Sequence, residues 1–176
     1  MSELRKANTE SPYFLTITVA GWIDIFTRNR YCDIIIKNLQ FCIENKNMEV
    51  FAYVIMPSHL HLVARNVNGN LNHIIRDFKS FTAKQILKMI EFEKGESRKN
   101  WLLHLFSYYA KFHKQNKNYL FWQKTNYPIE LDYPEIFDQK VVYIHNNPVE
   151  AGYVTDSEYW YYSSANPNSP LLVQEA

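Results

Sequence analysis

The sequence predicts an α+β fold, a β-sheet with helices packed on it. Three observations lead there. Hydrophobic periodicity alternates between the strand value of two and the helical value of 3.6 in the order β-α-β-β-α, followed by helix, short strands and helix. The strand-like stretches are rich in β-branched and aromatic residues, and the helical ones carry their charges off an apolar stripe. Finally, 47% hydrophobic and 16% aromatic residues in a chain of 176 supply the core of one domain. The economical arrangement sets the helices on one face of the sheet.

Residues 1–11 are polar and read as a flexible N-terminus, 12–166 as a single domain and 167–176 as a C-terminal tail. Residues 13–26 open with alternation. Phe14, Thr16 and Thr18 fall on one side and Leu15, Ile17 and Val19 on the other, so the first strand lies here. Gly21 marks a bulge or bend. Over residues 29–47 the period changes: Ile35, Leu39, Cys42 and Ile43 share a helix face. Met48–Met56 is the second strand and His59–Asn66 the third. Pro57 belongs at the break between them, because proline cannot donate to a sheet ladder.

Residues 66–70 are a loop by composition. A long helix follows, with Leu71, Ile74, Ile75, Phe78, Thr82, Ile86, Met89 and Ile90 on one side. Charged residues 91–100 form a linker or helix end, 101–114 another helix and 115–118 a loop. Residues 120–124 and 128–131 are short extended pieces. Pro134 starts a last helix that reaches about residue 146. There Asn146-Asn147-Pro148 should stop it, since the residue before proline avoids the α region.

Two cysteines, Cys32 and Cys42, have neither metal-type spacing nor the look of a disulfide framework. No signal peptide is visible, and no apolar run approaches the ~20 residues of a membrane helix. The expected setting is a reducing cytoplasm. Net charge is +1 but uneven: eleven Lys/Arg face four Asp/Glu between Arg76 and Lys124, and eight acids face one lysine from Glu130 to the end. A basic segment of this kind fits a polyanion-binding face, and a set of solvated helix faces accounts for it equally well.

His59 and His61 stand one residue apart in a strand, so their imidazoles project from the same face. Neutral imidazole is a common metal ligand, and two strand histidines in ordinary hydrogen bonds are the bland alternative. On the last helix Phe137, Val141 and Ile144 make the core stripe. Tyr143 lies roughly 100° away, with Gln139, Lys140 and Asn147. If the helix persists, Asn147 falls one turn beyond Tyr143, where its amide oxygen can ligate a hard cation. By spacing alone, Tyr143 as a packing residue and Asn147 as a helix cap remain open. His145 sits on neither face and reads as a structural or DNA-proximal histidine.

Taken together, Tyr53-Val54-Ile55-Met56-Pro57-Ser58-His59-Leu60-His61-Leu62 and Tyr143-Ile144-His145-Asn146-Asn147-Pro148-Val149-Glu150-Ala151-Gly152-Tyr153-Val154 resemble the two signature blocks of IS200-like single-tyrosine (Y1) HUH transposases, closest to the REP-associated tyrosine transposase group. Phe78-Lys79-Ser80-Phe81-Thr82, Phe121-Trp122-Gln123 and Tyr161-Tyr162-Ser163-Ser164-Ala165 resemble that group as well, and the likeness spans roughly residues 13–165. One departure is Tyr127, where many relatives carry a histidine.

The resemblance implies a ferredoxin-like (RRM-like) antiparallel sheet of HUH endonuclease type. It implies His59, His61 and Asn147 as ligands of Mg²⁺ or Mn²⁺, and Tyr143 as the nucleophile. The activity implied is cleavage and rejoining of single-stranded or hairpin DNA through a 5′-phosphotyrosine, in a monomer or a homodimer. Arg76, Lys79, Lys84 and Lys124 are candidate phosphate contacts, and Trp122 and the tail aromatics candidate base-stacking platforms, with a core role for Trp122 equally open. Two other classes compete: a hairpin- or repeat-specific DNA-binding protein without transposition, and an RRM-like RNA-binding module whose histidine pair is fortuitous.

Overall fold

The alternation of residues 13–18 becomes strand β1 (Tyr13–Thr18), and the helical stripe after it becomes α1 (Asn29–Lys46). β2 (Met48–Met56) and β3 (His59–Asn66) follow, joined at Pro57-Ser58, then α2 (Leu71–Phe92), α3 (Lys99–Ala110), β4 (Ile129–Glu130) and α4 (Pro134–Glu150). The structure, a computed structural model, describes residues 10–93, 95–112 and 118–174. Most of the expected N-terminal segment and of the 115–118 loop therefore lies outside the described residues. The strands form one antiparallel sheet in the order β2-β3-β1-β4. With α1 and α2 as crossovers this is the ferredoxin-like βαββαβ arrangement, and α4 is added after it.

Helices cover both faces of the sheet rather than one. Tyr13, Leu15, Ile17, Tyr53, Ile55, Leu60 and Leu62 share a buried cluster with residues of α1, α2 and α3. On the opposite face, Phe14, Val54, Met56 and Val63 pack with Phe137 and Ile144 of α4. The register of β2 explains part of this. Val50 pairs with Ala64 and Ala52 with Val63, so one residue is bulged between them. After the bulge Tyr53 and Ile55 face α1, and Ala52, Val54 and Met56 face α4.

The expected stop of the last helix at Asn146-Asn147-Pro148 is corrected: α4 runs through Pro148 to Glu150. A proline this close to the end removes one N–H from the ladder, and Pro148 is itself buried. Termination comes three residues later. The Tyr153 N–H donates to the Pro148 carbonyl (2.9 Å) and the Gly152 N–H to Val149 (2.9 Å), with Gly152 left-handed at φ 74°. That is a Schellman stop, which requires a residue tolerant of positive φ. Residues after 166 stay on the body of the domain: Leu171 is buried, and the Gln174 N–H donates to the Val50 carbonyl at 2.8 Å.

The charged stretch between α2 and α3 is anchored by one buried carboxylate. Glu96 accepts from the Tyr31 hydroxyl (2.8 Å), from Arg30 (2.9 Å) and from the Arg98 backbone N–H (3.1 Å), and pairs with Arg28 at 3.2 Å. Burial alone would raise its pKa. The Tyr31, Arg98 and Arg30 bonds and the Arg28 charge outweigh that and hold it at about 2. A carboxyl depressed in the fold stabilises above its unfolded pKa and loses that contribution as pH falls through the folded value. Glu96→Gln should therefore cost on the order of 3 kcal/mol near neutral pH. The difference between variant and parent should shrink as pH drops from about 4.5 towards 2. Urea melts across that range measure it, and a pH-independent difference would contradict the account.

Candidate active site

The site is built on the sheet face covered by α4. In β3 the period of two puts His59 and His61 on that face, and their ring centroids are 4.7 Å apart. β1 pairs with β3 so that Thr18 lies opposite His59 and Thr16 opposite His61. The Thr16 hydroxyl is 3.1 Å from His61 Nδ1, and the Ser58 hydroxyl is 3.1 Å from His59 Nδ1. Each imidazole thus has Nδ1 engaged by a hydroxyl, and neither Nε2 has a hydrogen-bond partner among the described residues. This is how metal-ligating histidines are usually oriented: one nitrogen is held from outside and the other is left to the ion.

Burial sets the protonation. Desolvation pushes His59 down to about 4. His61, only 5% exposed, is pushed to about 3 by desolvation, with the nearby His59 and Lys140 adding to the effect. Both rings are neutral at pH 7, the form that donates a lone pair.

α4 brings Tyr143 over this pair. Its ring lies edge-on to His61 at 5.3 Å and to Phe14 at 5.8 Å, and Phe14 stacks on His61 at 5.3 Å. Tyr143 is 38% exposed, so the side chain is held in the cluster and still reaches solvent. Because α4 continues past Asn147, that residue falls on the Tyr143 side of the helix, one turn on. It is not the cap; Ala151 is. The Asn147 side chain makes no hydrogen bond to any described residue, which leaves its carboxamide free to act as a ligand. Among the described residues no group of three His, Cys, Asp or Glu side chains is placed to hold a metal.

His145 is structural: its Nε2 is 2.9 Å from the Ser164 hydroxyl, tying α4 to the C-terminal segment.

Two of the residues considered for DNA contact are engaged within the fold. Trp122 is 4% exposed, stacks on Phe26 at 5.7 Å and donates its indole N–H to Thr82 at 3.0 Å, so it offers no face to a base. Lys79 turns inward: its ammonium donates to the Gln123 carbonyl (2.7 Å) and to Asn126 Oδ1 (2.6 Å), and burial lowers its pKa to about 8. It fastens α2 to the segment before β4. Arg76 and Lys84 are exposed on α2, which packs against the sheet face away from the histidines; Arg76 pairs with its neighbour Asp77 at 2.9 Å. Lys124 is exposed just past the point where the Gln123 N–H donates to the Thr18 carbonyl (2.8 Å), at the sheet edge beside the site.

One site residue was missed. Lys140 Nζ lies 4.9 Å from the Phe14 ring centroid and 5.6 Å from that of Tyr143. No carboxylate pairs with it among the described residues. The signal was in the charge count: Lys140 is the single Lys or Arg from Glu130 to the end of the chain, and it stands three residues before Tyr143.

No family model matches the sequence, and no curated protein does. Among solved structures, a REP-associated tyrosine transposase bound to a REP hairpin matches this chain with a TM-score of 0.67 at 18% identity, over 93% of this chain and 82% of the other. Among the described residues no helix is long and apolar enough to cross a membrane. The chain thus shares its fold, a four-stranded antiparallel sheet with helices packed on it, with that solved transposase.

Proposed function

We propose that this protein is a metal-dependent DNA strand-transferase that cleaves and rejoins single-stranded or hairpin DNA, with Tyr143 as the covalent nucleophile. The observation that carries the reading is the Tyr143 ring 5.3 Å from His61, itself 4.7 Å from His59. The shared fold with a transposase bound to hairpin DNA supports it. The residues suit a hard divalent ion such as Mg²⁺ or Mn²⁺: two neutral imidazoles with oriented Nδ1 atoms, and an unengaged amide oxygen on Asn147. When bound, the ion would polarise the scissile phosphate and stabilise the charge that builds on it.

The protein supplies the rest. The Tyr143 oxygen forms a bond to phosphorus as the bond to the 3′ oxygen breaks. The phenolic proton is lost, and the departing 3′ oxygen takes one up. The phosphotyrosine keeps the bond energy, so attack by another 3′-OH reverses the step and joins new ends without ATP. Lys140 places a cation beside the nucleophile, where a non-bridging phosphate oxygen would sit. Lys124, at the neighbouring sheet edge, would hold a flanking phosphate.

We assign the activity to one domain, residues 12–166, with the tail packed against it. Buried Cys32 and Cys42, both free thiols, fit a reducing cytoplasm. One tyrosine holds one covalent end at a time, so full exchange takes sequential steps or a homodimer.

The test is incubation with end-labelled hairpin DNA carrying single-stranded flanks, with Mn²⁺. A protein–DNA adduct that survives denaturation supports the reading. Tight hairpin binding with no adduct on any hairpin of the source genome would instead indicate a binding protein. Lys140→Met should slow adduct formation on the order of 100-fold without weakening Mn²⁺ binding, because its ammonium repels the ion. A parallel loss of Mn²⁺ affinity would show that Lys140 shapes the metal site instead.

A further inference from the structure

Trp22 stands beside the site in an unusual state. Its backbone is left-handed, φ 57°, directly after Gly21 at φ 66°. A bulky residue rarely adopts that region, and such strain persists only where surrounding contacts over-determine it. Here they do. The Val19 N–H donates to the Ser58 carbonyl (2.9 Å), the Ala20 N–H to Phe121 (2.7 Å) and the Trp22 N–H back to Val19 (3.0 Å). Gly21 is wedged so close to the Tyr109 ring that a Cβ there would overlap it.

This rigid turn holds the indole out. Trp22 is 60% exposed. Trp122 and Trp160 donate their indole N–H to Thr82 and to the Ile55 carbonyl, whereas that of Trp22 has no partner among the described residues. The one ring contact described for it is edge-on to His59, at 5.5 Å and 72°. An exposed indole gains little from burial, so packing does not account for the strain. Its place does: the ring adjoins the imidazole that flanks the reacting centre. The turn beneath it walls a hollow of about 370 Å³ that Tyr109, Gln123 and Lys124 also line.

We propose that Trp22 is a stacking platform for one unpaired base of the DNA strand whose phosphate enters the Tyr143 site. An aromatic face suits this role because every base has a π-face, and stacking tolerates sequence. Lys124, which also lines the hollow, gives the same strand a phosphate contact. The base stacked on Trp22 fixes the nucleotide next to the cleaved bond, so Trp22 sets where along the flank the strand is cut.

The proposal rests on the strand-transferase reading, and its test is separable from that reading. Binding is measured by fluorescence anisotropy in the Tyr143→Phe background, using a hairpin with single-stranded flanks and a series in which each flanking nucleotide in turn is abasic. Trp22→Ala should weaken binding of the intact oligonucleotide roughly tenfold, and Trp22→Phe should restore most of it. At one abasic position Trp22→Ala should add no further loss. An unchanged affinity, or a loss of the same size at every abasic position, would overturn the proposal. Failure of the parent protein to form an adduct with the intact oligonucleotide would count against the strand-transferase reading instead.

Discussion

Tyr143→Phe is expected to abolish covalent trapping of DNA while leaving the fold and DNA binding close to those of the parent. The substitution removes one atom. The ring keeps its edge contacts with His61 and Phe14, and Lys140 keeps an aromatic face beside it. The hydroxyl has no hydrogen-bond partner among the described residues, and the side chain is 38% exposed, so the stability change should stay within about 0.5 kcal/mol. The chemical loss should be far larger. Removing a covalent nucleophile typically costs about 10⁴-fold or more, which puts the adduct below detection on a denaturing gel. The discriminating comparison uses two other exposed tyrosines, Tyr127 and Tyr133, which flank β4 ahead of α4. Phe at either should leave the adduct in place. An adduct that survives in Tyr143→Phe and disappears in one of these would move the nucleophile and break the link to the histidine pair.

The parts of this arrangement that were legible in the sequence are those fixed by short-range geometry. A period of two puts His59 and His61 on one face whatever the sheet is packed against, and the rings are indeed neighbours. The coverage of both sheet faces had a signal too. Residues 50–56 of β2 are apolar without interruption, which is what a strand buried on both sides looks like. Only a strand with one solvated face alternates, so the alternation of β1 misled: its second face carries Thr16 and Thr18 because they serve and flank the histidines, not because water lies there. The passage of α4 through Pro148 was illegible for a different reason. The rule about residues before proline is a local preference. A buried proline in the last turn and a Schellman stop at Gly152 outweigh it through tertiary packing.

The inward turn of Lys79 and the burial of Trp122 depend on partners about 40 positions away in the chain. Nothing near Lys79 in sequence announces Asn126. The same holds for Glu96, whose charge looked like linker composition until Tyr31 and three arginines from two segments closed around it. Trp22 was hidden because a tryptophan in a β-branched stretch reads as core. Its exposure follows from the left-handed turn that Gly21 opens, which composition does not reveal.

His61→Ala is expected to remove metal binding, and a graded series around His61 separates a ligand from a packing residue. Calorimetric titration of the parent with Mn²⁺ sets the reference. Thr16→Val keeps the shape of the side chain and deletes the hydroxyl 3.1 Å from His61 Nδ1, so the ring loses its orienting partner but stays in place. Outer partners of this kind are worth about 10–100-fold in affinity. Loss of the ligand itself should exceed that, so His61→Ala and His59→Ala should each fall by more than about 100-fold. His61 is 5% exposed and packed between Phe14 and Tyr143, so Ala there also leaves a cavity. His61→Gln fills the space with a weaker ligand and should recover stability without recovering Mn²⁺ affinity. A packing residue would behave in the opposite way: Gln would restore whatever Ala lost, and Thr16→Val would leave the titration unchanged. With its hydroxyl beside the imidazole on the neighbouring strand, Thr16 is therefore the position that tests whether this histidine pair is a metal site without removing either ring.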